Sequence, residues 1–164
     1  MISVIGGEMC GPEALVVAEA VGREVARRGA TLVCGGRGGV MEAASRGARS
    51  EGGHTVGILP GRGHADSPPN EHIEFPVFTG MGFARNVMVV LSGDAVIAID
   101  GSYGTLSELA YALIHGVPVV GIDTWDFDYH GFDGQDAITR VTDPVEAVKQ
   151  AIALAKERRA TSAE

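Results

Sequence analysis

Short apolar runs alternate along this chain with longer segments of helical spacing. The apolar runs, rich in β-branched residues, predict strands at residues 2–6, 31–34, 56–59, 95–99 and 117–122, with a weaker candidate at 73–78. The segments between them predict helices at residues 13–28, 40–51, 83–91, 105–115 and 144–159. Most of the strand candidates are apolar throughout, which is typical of strands buried on both faces of a sheet.

This alternation predicts an α/β fold, namely a three-layer, doubly wound, Rossmann-like parallel sheet formed by a single domain over residues 1–164. We expect the first three strands in the order 3-2-1 and the later strands on the other side of strand 1. Ligands of such sheets bind beyond the carboxyl ends of the strands. Residues 144–164 are predicted to form a C-terminal helix with a charged, frayed tail.

Glycine is the unusual feature of the composition, because 24 of the 164 residues are glycine and they cluster between the apolar runs. Two clusters, at residues 35–39 and 101–104, stand between a strand candidate and a helix candidate. Glycine lets the backbone approach a ligand closely, and the free N–H groups of a helix start favour an anion. The two loops together predict a pocket for a phosphorylated small molecule. The alternative for either loop alone is a tight turn with close helix–sheet packing.

The charge and the cysteines restrict the partners. A formal net charge of −8 disfavours nonspecific binding to nucleic acid or to an anionic membrane. We find no signal peptide and no stretch long enough for a membrane span, so we expect a cytoplasmic protein. Cys10 and Cys34 are expected to be small buried side chains, with a place near the pocket as the alternative. The five histidines show no metal-ligand spacing, so no metal is expected.

Three polar residues around the loops allow two interpretations each. Arg85 begins an otherwise apolar helix, so it is either a solvated surface charge or an anion ligand, and Asn86 stands beside it. Glu108 either closes a capping box with Thr105 or faces the pocket, where it binds a hydroxyl or moves a proton. No lysine follows either glycine loop, so neither is a Walker A P-loop.

Four segments, at residues 35–42, 57–61, 79–86 and 101–108, together resemble the motifs of the Lonely-guy/DprA-like (SLOG) nucleotide-binding superfamily. They are most similar to those of the molybdenum-cofactor carrier branch, and the resemblance extends over about residues 2–122. It implies a carrier or sensor that binds a nucleotide monophosphate or a molybdopterin-type cofactor through its phosphate. The resemblance and the apolar helix predicted at residues 83–91 together indicate a homodimer or a higher homo-oligomer. We expect that no cofactor is required for folding.

The resemblance also carries an enzymatic alternative. The cytokinin-activating members of the superfamily are phosphoribohydrolases, which split a nucleoside 5′-monophosphate into its base and ribose 5-phosphate. By match to their motifs, Arg85 and Glu108 would be the catalytic residues. The chain departs from the enzyme pattern where Asp100 replaces proline, Ser102 replaces glycine and Asn86 replaces lysine. These departures favour binding over catalysis.

The glycine loops, the start of the helix after each loop and the arginine motif predict the ligand contacts. They are Gly35, Gly36, Gly38, Gly39, Met41, Glu42, Arg85, Asn86, Gly101, Ser102, Tyr103, Gly104 and Thr105. Lysine decarboxylase activity, a common label in the superfamily, is not expected, because Lys149 and Lys156 are the only lysines and both lie on the last helix. Residues 123–136 are rich in carboxylates and predict an acidic surface loop, since an EF-hand would need glutamate at its last position.

Overall fold

Seven parallel strands form one sheet in the computed structural model, which describes residues 1–127 and 138–161. The sheet order is β4-β3-β2-β1-β5-β6-β7, which confirms the predicted parallel α/β fold and the order of the first three strands. The strands are β1 (Ile2–Gly6), β2 (Leu32–Cys34), β3 (Thr55–Leu59), β4 (Phe75–Phe78), β5 (Ala95–Ile99), β6 (Val119–Ile122) and β7 (Ile138–Arg140).

Helices cover both faces of the sheet. One face is covered by α1, α2 and α5, whose buried residues join one core cluster, and the other face by α3 and α4, which contribute to a second. The helices are α1 (Pro12–Arg27), α2 (Val40–Ser50), α3 (Asn86–Ser92), α4 (Tyr103–Ile114) and α5 (Pro144–Thr161), with a 3-10 turn (Gly82–Arg85) directly before α3. Within residues 1–127 and 138–161, no helix combines the length and apolar character needed to cross a bilayer.

The structure differs from the sequence predictions in two elements, the helix predicted at 83–91 and strand β7. The helix predicted at 83–91 is a 3-10 turn followed by α3, so Arg85 and Asn86 lie at the junction of the two. The last helix, predicted at residues 144–159, extends from Pro144 to Thr161, and the predicted frayed tail stays a prediction because residues 162–164 lie outside the described residues. Edge strand β7 was not predicted at all. The acidic segment 123–136 falls largely outside the described residues, from position 128 onward.

Strand β1 lies in the middle of the sheet and pairs with β2 on one side and β5 on the other. All five of its residues are buried. Because the three strands are parallel, their carboxyl ends meet at one edge of the sheet. The loops that follow them, residues 7–11, 35–39 and 100–102, are therefore brought together at that edge.

Helices α1 and α2 approach so closely that their backbones touch. A Cβ atom placed on Gly22 of α1 would lie 1.9 Å from the carbonyl oxygen of Ala44, and one on Gly47 of α2 would lie 2.1 Å from that of Glu19. Glycine at both positions is required by this contact. The contact fixes α2 against α1 and thereby positions the glycine loop from which α2 starts.

Gly22→Ala is expected to destabilise the protein by about 1–3 kcal/mol, because overpacking against backbone outweighs the better helix propensity of alanine. Urea unfolding of the variant and the wild type measures the difference. Gly63→Ala is the matched control, since no atom of the described residues lies within 4 Å of a Cβ placed there. Equal unfolding midpoints for Gly22→Ala and Gly63→Ala would show that the α1–α2 contact is looser than described.

Candidate functional site

The ends of β1 and β5 and the start of α2 touch one another at Gly6. A Cβ atom placed on Gly6 would lie 2.5 Å from the carbonyl oxygen of Ile99 and 2.5 Å from Cγ1 of Val40. The N–H group of Val40 donates a hydrogen bond to the carbonyl of Gly7, at 3.0 Å. The two glycine loops are therefore brought to the same edge of the sheet, on either side of β1.

The first glycine loop is held against the β1–α1 loop. Gly39, directly before α2, has a φ of 64°, a left-handed conformation that side chains rarely adopt. A Cβ atom there would come within 2.3 Å of the carbonyl oxygens of Gly7 and Glu8. No residue other than glycine fits this position without moving one of the loops.

A cleft of about 450 Å³ opens between the β1–α1 loop and the first turns of α2. This volume is within the usual range for small-molecule sites. Cys10 lines it and is half-buried, whereas Cys34 is buried behind the first glycine loop as the sequence predicted. The lining residues are Glu8, Met9, Cys10, Leu15, Gly39, Glu42, Ala43 and Arg46.

The second glycine loop leads into α4, which begins at Tyr103 after the extended residue Ser102. Tyr103 is largely exposed, and the space beside Gly104 is open. Thr105 is buried below Gly101, and its hydroxyl has no hydrogen-bond partner among the described residues. Because Thr105 lies inside the helix and does not precede it, the capping-box alternative for Glu108 is not realised.

The charged side chain of Arg85 is buried beside the first glycine loop. Its side chain is 9% exposed, and a Cβ atom placed on Gly35 would lie 2.8 Å from its Nη2 atom. Nη1 lies 3.5 Å from Oε1 of Glu108, whose side chain is also 9% exposed. The Nε–H group has no partner within residues 1–127 and 138–161. The alternative of a solvated surface arginine is therefore wrong.

A chain of hydrogen bonds connects Arg85 to the first turn of α4. Nη1 of Arg85 donates to the side-chain oxygen of Asn86. The amide nitrogen of Asn86 donates to Oγ of Ser107 at 2.8 Å, and that hydroxyl donates to the carbonyl oxygen of Gly104 at 2.7 Å. Asn86 thus holds the guanidinium in place and ties it to the second glycine loop.

Burial controls the ionisation of the charged pair. Desolvation raises the pKa of Glu108 to about 7, and the nearby Arg85 guanidinium opposes this rise. Desolvation likewise lowers the pKa of Arg85, with Glu108 acting in the opposite direction. A carboxyl group that titrates near neutral pH beside a fixed cation is a common feature of functional sites.

The predicted site residues thus occupy neighbouring positions. The glycines at 35, 36, 38 and 39 form the first loop, and Met41 contacts Gly35 through its sulfur at the start of α2. The polar residues Glu8, Arg37 and Ser107 were not predicted from the sequence, and their contacts at the site join segments distant in sequence. Arg37 lies inside a recognised motif, and this position could have identified it.

Glu42, predicted as a ligand contact, lies in the first turn of α2 next to two residues of the β3–β4 loop. One ligand atom from each of Glu42, Glu71 and His72 lies within 4.8 Å of the others. The long separation between positions 42 and 71 explains why the sequence spacing showed no such cluster. Surface carboxylates often gather without an ion, so we assign no metal to this group.

Comparisons with known proteins show the family and the fold of this chain. The sequence model of the family described as SLOG cluster4 (LDcluster4) matches residues 1–153. The molybdenum cofactor binding protein of Rippkaea orientalis is 35% identical with a TM-score of 0.82, and 93% of this chain aligns with 94% of that one. The molybdenum cofactor carrier protein of Chlamydomonas reinhardtii is 33% identical with a TM-score of 0.77, over 93% and 97% of the two chains.

A second group of relatives has enzyme names. The cytokinin riboside 5′-monophosphate phosphoribohydrolase of Mycobacterium marinum is 37% identical over 131 residues, which cover 75% of this chain and 67% of that protein. The carrier proteins and the phosphoribohydrolases are the two groups that the sequence motifs resembled. The predicted assignment to the SLOG superfamily is confirmed.

Glu108→Gln is expected to change the pH dependence of stability. Since the pKa of Glu108 is raised from 4.5 to about 7 in the folded protein, its contribution to stability is fully present below pH 4.5 and is lost as the pH rises through 7. The variant should therefore gain stability relative to wild type between about pH 5 and about pH 8, by up to about 3 kcal/mol. Urea unfolding across this range measures the gain.

Glu13→Gln, an exposed substitution in the first turn of α1, is the control for the loss of one carboxylate. A stability difference between Glu108→Gln and wild type that does not change with pH would mean that Glu108 remains ionised throughout.

Proposed function

Because this chain belongs to the SLOG cluster4 family, we propose that it binds a phosphorylated small molecule at the carboxyl edge of its sheet and acts as a carrier or sensor. The observation that carries the proposal is the buried guanidinium of Arg85, which lies beside the first glycine loop and is linked to the second. Within the part of the chain that the structure describes, the Glu108 carboxylate lies 3.5 Å from it and its Nε–H group has no partner. A phosphate would supply the charge and the acceptor oxygens that this arginine lacks.

The backbone of the second loop supports the same site. Helix α4 starts at Tyr103 without a side-chain cap from Ser102, so the first N–H groups of the helix are free to bind an anion. We infer that the phosphate contacts these groups and those of residues 37–39, with Arg85 as the cation, while the N–H group of Gly36 donates to Sγ of Cys34. Thr105 supports Gly101 from below, and Asn86 orients Arg85.

The cargo that the neighbours favour is a molybdenum cofactor, because two similar solved structures are named for binding or carrying it. A nucleoside monophosphate has the same phosphate group on a different ring. Both would place the phosphate on the glycine loops and leave the ring to the adjoining cleft. The volume of about 450 Å³ of that cleft suits a ring of either kind.

Hydrolysis of a nucleoside 5′-monophosphate is the second candidate function, and Glu108 is the observation that favours it. A carboxyl group with a pKa of about 7 beside an arginine can exchange a proton at neutral pH. The named phosphoribohydrolase relatives support this alternative. The replacement of lysine by Asn86 removes one cation from the motif and favours binding without turnover.

Arg85→Ala should lower the affinity for a phosphorylated ligand by about ten- to hundredfold, since it removes a charge-assisted contact with the anion. Gly104→Val should also weaken binding, because its side chain enters the open space beside the second loop. Calorimetry with AMP, GMP and a phosphorylated pterin measures both effects. Gly63→Val, at a half-buried loop position with open space beside it, is the control for the added side chain.

Arg85→Lys keeps the charge and is expected to bind with intermediate affinity, which distinguishes lost charge from lost packing. Equal affinities of wild type, Arg85→Ala and Gly104→Val would mean that the ligand binds elsewhere.

Turnover separates the two candidate functions. A carrier should release no free base from AMP or from a cytokinin riboside 5′-monophosphate, whereas a phosphoribohydrolase should release it and lose this activity in Glu108→Gln. Chromatography of the free base after incubation with the monophosphate measures the outcome. If the wild type releases the free base and Glu108→Gln does not, the protein is a phosphoribohydrolase.

We also propose that the layer of α3 and α4 forms a homodimer interface. Phe83 is 83% exposed and Ile114 is 72% exposed, and exposed apolar surface of this kind marks interaction sites. A second copy is the occupant we favour, because α3 and α4 adjoin the site and the superfamily resemblance implies an oligomer. The exposed large apolar residues of this layer are Met81, Phe83, Met88, Leu91, Tyr103, Leu113 and Ile114.

Leu91→Lys and Ile114→Lys should each shift the protein from dimer to monomer, because a charge in an apolar interface is costly to bury. Sedimentation at micromolar concentration measures the state of each variant. Val16→Lys is the control, as Val16 is an exposed apolar residue on α1, which covers the opposite face of the sheet. A monomeric wild type would contradict the proposed interface.

A further inference from the structure

The side chain of Glu8 crosses the surface of the first glycine loop. Its Oε1 atom accepts hydrogen bonds from Nε and Nη2 of Arg37, at 3.2 and 3.1 Å. Its Cγ atom lies 3.8 Å from a Cβ atom placed on Gly38. The carboxylate therefore lies beside the loop whose N–H groups we assign to the phosphate.

The backbone of Arg37 is held in place, while its side chain remains partly in water. Asn70 donates one hydrogen bond from its side chain to the carbonyl of Arg37, at 2.8 Å, and one from its backbone to the carbonyl of Gly36, at 2.9 Å. The side chains of Arg37 and Glu8 are 43% and 51% exposed, so both can rotate. Movement of the pair thus requires no change in the fold.

The charges of Arg37 and Glu8 both affect the ionisation of Arg85. The positive charge of Arg37 lowers the pKa of Arg85, and the negative charge of Glu8 raises it, both as smaller effects than burial. Two guanidinium groups and the Glu8 carboxylate therefore lie close enough to influence one another, and Oε2 of Glu42 also lies 3.7 Å from a Cβ atom placed on Gly38. A carboxylate next to two guanidinium groups lies where the anionic group of a ligand would also bind.

The Glu8–Arg37 pair is easily replaced. An exposed ion pair contributes little to stability, because water screens it and two long side chains must be held in one geometry. A phosphate has more negative charge and more acceptor oxygens than a carboxylate, and arginine binds it with two parallel hydrogen bonds. A phosphate that reaches the loop can therefore displace Glu8 from Arg37.

We propose that Arg37 is a second phosphate-binding arginine beside Arg85, and that the Glu8 carboxylate occupies the phosphate's place on Arg37 until the ligand arrives. This inference rests on the proposed function. It adds a residue that motif matching did not assign, and it gives Glu8 the role of an internal competitor.

A double-mutant cycle tests this inference, with GMP and inorganic phosphate as probes in calorimetry. Glu8→Gln should tighten binding about two- to fivefold, because the competing charge is removed. Arg37→Ala should weaken it about tenfold. In the Arg37→Ala background, Glu8→Gln should have no further effect, since the contact for which it competes no longer exists.

The exposed pair of Arg27 and Glu51 is the matched control, because Glu51→Gln and Arg27→Ala change the net charge equally at a pair away from the site. The same gain from Glu8→Gln with and without Arg37 would show a long-range charge effect and overturn the inference. Unchanged affinity in Arg37→Ala would also overturn it.

The proposed function is tested separately by Arg85→Ala in the same experiment. Binding that depends on Arg85 but shows no coupling between Glu8 and Arg37 overturns this inference alone. Absence of binding in the wild type overturns the proposed function and this inference together. Unfolding midpoints of the Glu8 and Arg37 variants verify that these exposed substitutions leave the fold intact.

Discussion

The guanidinium of Arg85 is charged, almost closed off from water and only partly compensated, and the carboxyl edge of the sheet is arranged around it. Removing an ion from water costs several kcal/mol unless other groups replace the lost solvation. Glu108 and Asn86 replace part of it, and Gly35 has no side chain where the guanidinium lies. The part of the lost solvation that these groups do not replace makes this edge of the sheet favourable for an anion.

The same pair would serve either proposed function on one architecture. Arg85 would attract an anion in both cases, whereas Glu108 would contribute chemistry only in the hydrolase, by transferring its proton to the ligand. Asn86 bears on the choice between binding and turnover, because it accepts a hydrogen bond from Arg85 at the position where the enzyme motif has a lysine. A neutral side chain at this position orients the arginine and would leave less positive charge around a bound phosphate.

Local patterns were sufficient to predict the sheet and the two glycine loops. Runs such as residues 95–99 are apolar on both faces, and only a covered parallel strand buries them completely. Strand β7 was missed because two of its three residues, Thr139 and Arg140, are exposed at the sheet edge. The start of α4 was placed two residues late, since Thr105 has the form of a capping residue although Ser102 is the last extended one.

Contacts between distant segments had no local signal. Glu8 and Arg37 are 29 residues apart, and they meet only because Gly39 lets the two loops touch. The link from Asn86 to Ser107 spans 21 residues and depends on α3 packing against α4. Such pairs were beyond prediction from one sequence, although the arginine and the asparagine had been recognised as members of motifs.

The backbone contact between α1 and α2 has a consequence for how quickly a ligand can be exchanged. Gly22 and Gly47 leave no space for α2 to slide, so the loop that starts α2 stays in position while a ligand enters or leaves. The groups that must move are exposed side chains, which change rotamer in picoseconds to nanoseconds. For the proposed ligand, no slow rearrangement of the fold would then limit capture, and the lifetime of its complex would depend on how strongly the buried arginine holds the anion.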